Sequence, residues 1–301
     1  MIAEKRSVLI TGVTGFLGGV VAVRLAARGA NVVGTSRHGA AGTAGADIVR
    51  LNLECENDFA ALADMKAIDS VLHFAAVLPG QRKDLDVLIA NQRMTYNVAQ
   101  WAVARNVKRF VFASSCSVYG PVCRSYEESD AVKPQSLYAV SKLACENLLQ
   151  VLLAGSCADL AILRIAAPYG PHMSAKTVIT RFLERASQGL PLELLGSGSR
   201  SQDFVYEDDI AEFCLKLLER GGSGIFNVSG NRSVSTLELA HMVLELFQRP
   251  TDGNLRFAGV DPQEDYRGHF RTDRARDRLD YVPQTHLQRG LRLTAQGLRL
   301  L

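Results

Sequence analysis

The stretch ITGVTGFLGG, residues 10–19, puts Gly12, Gly15 and Gly18 at three-residue spacing, directly after the apolar run Ser7–Gly12 (SVLITG). A strand-to-helix turn this tight needs residues without Cβ at its crossing points, so that backbone N–H groups can approach a pyrophosphate. A helix opening near Gly15 adds the positive end of its dipole to the same spot. The stretch therefore predicts a first strand, a phosphate-binding loop and a first helix.

The rest of the first half repeats that rhythm. Asn31–Ser36, Ile48–Asn52, Ser70–Phe74, Arg109–Ala113 and Leu160–Ile165 read as strands, while Leu85–Ala104 and Tyr138–Leu153 carry apolar residues at helical spacing. Nearly continuous apolar strands separated by helices are what a parallel sheet covered on both faces requires. The expected fold is α/β, a doubly wound parallel sheet of Rossmann type spanning residues 1–166. After residue 167, Pro168, Gly170, Pro171, Gly189, Pro191, Gly196 and Gly198 punctuate shorter elements. Residues 167–301 are expected to form most of a smaller substrate domain, interleaved with the first because Gly224–Val228 can return to the large sheet.

Composition narrows the classes. The chain has 301 residues, 47% of them hydrophobic and 22% charged, as an ordinary soluble globular protein does. A net charge of +3 gives no footing for nucleic acid or a membrane surface. The longest apolar region, 148–167, is broken by Gln150, Asp159 and Arg164, so no membrane span is expected. Cysteines 55, 116, 123, 145, 157 and 214 show no paired spacing and suit a reducing, cytoplasmic compartment. The histidines form no HxxxH or HExxH pattern, and no metal site is expected. MIAEKRSVLI passes from charge straight into the first strand and does not read as a signal peptide. No GxSxG occurs, which removes a serine hydrolase.

Three further segments carry chemistry. The end of the second strand faces the adenosine ribose in a nucleotide-binding sheet. Here it reads Thr35-Ser36-Arg37-His38, with no acid for a 2′-hydroxyl and a guanidinium that can pair with a 2′-phosphate. Arg37 thus favours NADP over NAD. At the end of the third strand, Asn52-Leu53 is placed to contact adenine. Tyr138 and Lys142, four residues apart on a helix, share one face. An ammonium beside the phenol, with a cationic nicotinamide nearby, is expected to draw the tyrosine toward the working pH as an acid/base for carbonyl–alcohol interconversion.

Taken together, the motifs resemble the extended short-chain dehydrogenase/reductase family, near its NAD(P)-dependent epimerase/dehydratase group acting on nucleotide sugars. TGVTGFLG resembles that family's TGxxGFxG loop, SSCSVYG (114–120) its SSxxVYG segment and YAVSK (138–142) its YxxxK. HFAA (73–76), AAPYGP (166–171) and DFVYEDDIA (203–211) match later landmarks. The resemblance implies a cofactor, NADP or NAD, held by Gly12, Thr14, Gly15, Phe16, Leu17, Gly18, Arg37, Asn52, Leu53, Phe74, Ala75, Ala76, Ser114, Tyr138 and Lys142. It implies Tyr138 as the acid/base, Lys142 on the nicotinamide ribose, and Ser115 as the catalytic hydroxyl. Ser117 follows as a substrate contact, Asn91 as a structural asparagine, and a homodimer through the helices near 92–105 and 138–153.

The departures bear on substrate and reaction. Dehydratases of this group carry an Asp-Glu pair after the catalytic hydroxyl; Cys116 and Ser117 stand there instead, which disfavours elimination of water. Cys116, with no histidine in its local motif, reads as a packed thiol. Gln202 precedes Asp203 where the group has arginine, and Ala167 stands where asparagine is common. Arg200 and Arg267 are the candidates for the substrate phosphates. The expected function is an NAD(P)-dependent nucleotide-sugar epimerase or ketoreductase. Alternatives are a reductase or dehydrogenase of a small non-nucleotide carbonyl compound, and a non-catalytic NADP-sensing regulator.

Overall fold

The computed structural model describes residues 6–38 and 45–301, apart from 64, 66, 122 and 157; Cys157 therefore lies outside the described residues. A seven-stranded parallel sheet forms the centre. It takes β1 (Ser7–Thr11), β2 (Asn31–Ser36), β3 (Ala46–Arg50), β4 (Ser70–His73), β5 (Arg109–Ser115), β7 (Asp159–Ile165) and β11 (Gly224–Val228), in the order β11-β7-β5-β4-β1-β2-β3. The two-residue β6 (Ser125–Tyr126) pairs in parallel with β14 (His269–Phe270), apart from the main sheet.

Side chains alternate across each strand and feed two apolar layers. Val8, Ile10, Val111 and Ala113 point to the layer shared with α1 (Phe16–Ala27) and α5 (Glu207–Arg220), while Leu9, Val71, Phe110 and Phe112 point to α2 (Asp84–Ala104) and α3 (Leu137–Leu152). Each fully buried side chain of this kind contributes about 1.5–3 kcal/mol relative to exposure. That two-sided burial explains why the strands read as unbroken apolar runs.

A third apolar cluster underlies the smaller lobe. Its elements are β8 (Ala167–Tyr169), α4 (Val178–Ser187), β9 (Leu192–Leu195), β10 (Ser201–Tyr206), β12 (Ser233–Ser235), α6 (Thr236–Leu246), β13 (Leu255–Ala258) and α8 (Leu287–Gly297), whereas α7 (Asp273–Leu279) packs on β11 and α5, its Ala275 and Leu279 buried in the layer that also holds α1. Ile179, Phe182, Leu192, Val234, Leu239 and Leu291 pack together there. No described helix is long and apolar enough to cross a membrane.

Several strand limits differ from the sequence reading by a residue, and both limits of the third strand and the C-terminal end of the fifth by two. The third strand ends at Arg50 and not Asn52, because Asn52 turns the chain: its Oδ1 accepts from Glu54 N at 3.2 Å and its own N–H donates to Asp58 at 3.0 Å. The fifth strand runs two residues further, since Ser114 and Ser115 stay paired with Arg164 and Ile165 of β7.

Candidate functional site

The glycine loop shows why Gly12 and Gly18 are required. Gly12 has φ +70°, and a Cβ there would lie 2.8 Å from Ala75 N. A Cβ on Gly18 would lie 2.3 Å from the Gly12 carbonyl oxygen, and Gly15 N donates to that same oxygen at 2.9 Å. Gly15 is the N-cap of α1, with no side-chain cap bond and no acid in the first turn. The helix therefore presents its first N–H groups and positive end at a loop of bare backbone, an arrangement that fits a pyrophosphate. Thr14 and Gly15 are exposed, Phe16 and Leu17 half-buried, and Gly18 buried.

A buried chain of side chains supports this loop. Ala75 N donates to Thr11 Oγ1 (3.2 Å), which lies 2.6 Å from His73 Nδ1; His73 Nε2 lies 3.1 Å from Thr95 Oγ1, and Thr95 donates to Cys145 Sγ at 3.3 Å. Burial, reinforced by the Lys142 charge, pushes His73 down to about 3, so the imidazole is neutral. The partners then assign its proton to Nε2. Phe74, Ala75 and Ala76 are half-buried beside Gly12. HFAA pointed to this segment, but its histidine's cross-sheet role has no local signal.

At the adenosine end, Arg37 is exposed at the tip of β2 and contributes to the positive field that, behind the Arg82 hydrogen bond, lowers the Glu54 carboxyl. Asn52 is exposed. Leu53 is a core residue whose carbonyl accepts from Asn97 Nδ2 at 2.9 Å.

Helix α3 brings the tyrosine and lysine to the end of β5. Ser136 caps it by accepting from Ala139 N at 3.1 Å, a bond worth about 1 kcal/mol that sets Tyr138 in the first turn. Lys142 Nζ lies 5.8 Å from the Tyr138 ring centroid and donates to Ala113 O at 2.7 Å. Asn91 accepts from Val77 N (2.7 Å) and donates to Ser141 Oγ (3.2 Å), and Ser141 donates to the Tyr138 carbonyl at 2.7 Å. It therefore ties the segment after HFAA to the first turn of α3.

The electrostatics differ from expectation in one respect. Burial pushes Tyr138 up to about 12 and Lys142 down to about 8. The polypeptide alone thus does not draw the phenol toward neutrality, because burial dominates both groups.

At the end of β5 opens a cavity of about 380 Å³, lined by Ser115, Cys116 and Ser117, by Gln135 and Ser136, and by residues of the small lobe; Tyr138 and Lys142 are not among its lining residues. Ser115 Oγ accepts from Ser117 N at 3.1 Å. Ser114 faces away and donates to Glu146. Cys116 is buried and donates to Arg164 O at 3.1 Å; burial raises its thiol strongly, so it neither ionises nor acts as an acid near neutrality.

The far wall carries Arg200, Gln202, Asp203, Gln263 and Tyr266. Arg200 is the only cation among the described lining residues, and its Nε is buried without a hydrogen-bond partner. Arg267 does not line the cavity. Its guanidinium donates to the carbonyls of Glu264 and Tyr266 and, at 2.6 Å, to Ser199 Oγ. Asp203 anchors the floor: its Oδ2 accepts from Ser229 Oγ and Phe270 N, both at 2.8 Å, and lies 2.6 Å from His269 Nδ1. Tyr266 and His269 lie some sixty-five residues from their β10 partners Ser201 and Asp203, and no spacing rule links them.

Residues 8–229 match the model of the NAD dependent epimerase/dehydratase family. The chain belongs to this family. It is 31% identical over 323 aligned positions to a dTDP-4-dehydro-6-deoxy-D-allose reductase from a Streptomyces species, covering 98% of this chain and 97% of that one. It is 27% identical over 256 positions to the dTDP-D-glucose 4,6-dehydratase of Mus musculus, covering 81% and 72%. Among solved structures it is similar to MoeE5 in complex with UDP-glucuronic acid and NAD, with TM-score 0.86, 28% identity, and 97% and 99% of the two chains covered. The family's members are NAD-dependent enzymes of the extended short-chain dehydrogenase/reductase class, and its reactions span epimerisation, dehydration and reduction.

Proposed function

We propose that this protein is a nucleotide-sugar epimerase or ketoreductase in which Ser115, Tyr138 and Lys142 serve a hydride transfer at a sugar carbon. One observation carries this reading: a buried lysine, one helical turn from Tyr138, is bonded to the carbonyl two residues before Ser115. A dinucleotide held at Gly12, Gly15 and Gly18 would supply the hydride acceptor or donor. Tyr138 moves the hydroxyl proton of the reacting sugar carbon, and Ser115 donates to the oxygen as charge develops there. Lys142 holds the nicotinamide ribose and favours the phenolate electrostatically.

The residues after Ser115 support epimerisation or reduction over dehydration. A dehydratase needs an acid and a base beside the catalytic hydroxyl, and Cys116 is a buried thiol bonded to a carbonyl. Arg200, with its unpartnered Nε, supports a diphosphate at the far wall. Because it stands alone there, a small uncharged carbonyl substrate is the second reading. Arg37 supports NADP, although the solved relative holds NAD. Exposed Leu85, Ile89 and Tyr96 on α2, with Leu137 and Val151 on α3, support a homodimer through these helices.

The test is direct. Purified protein, with any retained cofactor identified, is offered UDP- and dTDP-linked sugars and keto-sugars, and nicotinamide absorbance and product sugars are followed. Turnover in wild type that disappears in Tyr138→Phe, with NAD(H) binding kept, is the expected result. Near-normal turnover in Tyr138→Phe removes the assignment.

A further inference from the structure

Ser115 makes no side-chain contact with α3 in the bonds described above, yet the residues on both sides of it are held. Ser114 Oγ donates to Glu146 Oε1, and Cys116 Sγ donates to the carbonyl of Arg164 at 3.1 Å. Glu146 and Arg164 are in turn bonded to each other, Nη2 to Oε2 at 2.8 Å and Nε to Oε1 at 3.2 Å, with only 1% and 4% of their surfaces exposed. Glu146 stands on α3 one turn beyond Lys142, which itself grips Ala113. Arg164 stands on β7 directly opposite Ser114, and its guanidinium lies 4.8 Å from the Tyr119 ring centroid. Three of the four residues at 113–116 are thus tied to α3 or to its arginine partner, and the fourth is Ser115.

We propose that Glu146 and Arg164 are positioning residues that set Ser115 in register with Tyr138 and Lys142. The inference rests on the proposed hydride-transfer reading of this site. A buried ion pair is a poor device for stability, since well-packed apolar residues of similar volume hold an interior as well. It is a good device for geometry, because bidentate bonding fixes both distance and orientation. Glu146 also acts on Lys142 electrically: burial lowers the ammonium, and the Cys145 and Glu146 charges oppose that lowering. The other ionisable groups around them include His73, which feels Lys142, Tyr138, Tyr119, which feels Arg164, Cys116, which feels Glu146, and Glu128, whose carbonyl lies 3.5 Å from Arg164 Nη1.

The test uses Glu146→Gln, Glu146→Asp and the double variant Ser114→Ala/Cys116→Ala, which unhooks β5 while leaving the ion pair in place. NAD(H) affinity, kcat and KM for UDP-glucose, UDP-glucuronic acid and dTDP-glucose, and the titration of Lys142 by NMR of ¹³Cε-labelled lysine are measured in the full-length protein. The double variant should keep KM within about twofold and lose about tenfold or more in kcat. Glu146→Gln should move the Lys142 titration down by about half a pH unit or more, and Glu146→Asp should restore it. Wild-type kcat in the double variant together with an unmoved Lys142 in Glu146→Gln overturns the proposal. If wild type neither epimerises nor oxidises any of these sugars and reduces none of their keto forms, the functional reading fails instead, and the Lys142 titration alone decides: moved, it supports the positioning role; unmoved, it overturns it.

Discussion

Lys142 and Ala113 are joined by a 2.7 Å hydrogen bond that carries a charged side chain into the interior, with 4% of the residue exposed. Burial lowers its pKa from 10.5 to about 8. Between those values the unfolded chain holds a proton that the folded chain has released, so folding gains stability as pH rises from 8 toward 10.5. Below pH 8 both states are protonated and the full cost of the buried charge remains, about 3 kcal/mol. Lys142→Met removes that cost. The stability advantage of this variant over wild type, from urea unfolding, should therefore be largest at pH 7 and shrink by about 3 kcal/mol by pH 10.5. An advantage that stays flat across the range contradicts the burial argument.

Gly18→Ala should separate the loop's geometry from ordinary glycine effects. The added Cβ would meet the Gly12 carbonyl oxygen at 2.3 Å, which is backbone and can move only by opening the loop. NAD(H) affinity by calorimetry should fall about tenfold or more. Gly189→Ala is the control: it also strains the backbone, at φ +74°, but its Cβ meets nothing within 4 Å. It should cost about 1 kcal/mol in stability and leave cofactor binding intact. Equal loss of binding in both variants means that the loop argument is wrong.

Arg37→Glu tests the choice of cofactor. Wild type should bind NADPH more tightly than NADH, and the variant should lose about tenfold or more for NADPH while NADH stays within about twofold. Equal affinities for the two cofactors in wild type are the result that defeats the 2′-phosphate argument.

The features legible in sequence are those whose cause is local. The glycine loop follows from three residues in one turn, and the Tyr138–Lys142 face from a single helical period. The sheet follows from strands buried on both sides. What stayed hidden depends on partners far along the chain: Ser114 meets Glu146 at a separation of 32 residues, and Cys116 meets the Arg164 carbonyl at 48. Arg267 misleads for a related reason. Tyr266 and Gly268 on either side of it line the cavity while its own guanidinium bonds outward to Ser199 and its neighbours' carbonyls. Direction within an irregular segment has no periodicity to read.

His73 gives the protein an acid-sensitive interior. Its pKa falls from 6.5 to about 3 on folding, chiefly through burial and then through the Lys142 charge. The unfolded chain therefore takes up a proton below pH 6.5 that the folded chain refuses, and stability drains away as pH falls from 6.5 toward 3. At pH 5 that loss is about 2 kcal/mol. His73→Gln cannot take up the proton, so whatever stability it forfeits at pH 7, it should lose about 2 kcal/mol less than wild type between pH 7 and pH 5. Parallel acid dependence in the two proteins would place the sensitivity elsewhere.

Arg200 and Arg267 divide the roles that the sequence left shared between them. Arg200 lines the cavity with a buried Nε that has no partner, whereas Arg267 clasps segment 264–267 to Ser199. A guanidinium with an unmet donor gains most from an anionic ligand, because the desolvation of that donor has already been incurred. Arg200→Ala should raise KM for a nucleotide sugar about tenfold or more with a smaller change in kcat, since the diphosphate is bound alike before and during hydride transfer. Arg267→Ala should change KM within about twofold, because Glu264 still holds Ser197 N at 2.8 Å and keeps that wall in place. If Arg267→Ala carries the larger KM effect, the assignment of the diphosphate to Arg200 is reversed. If neither changes KM, the substrate carries no phosphate at this wall and the small-carbonyl reading takes precedence.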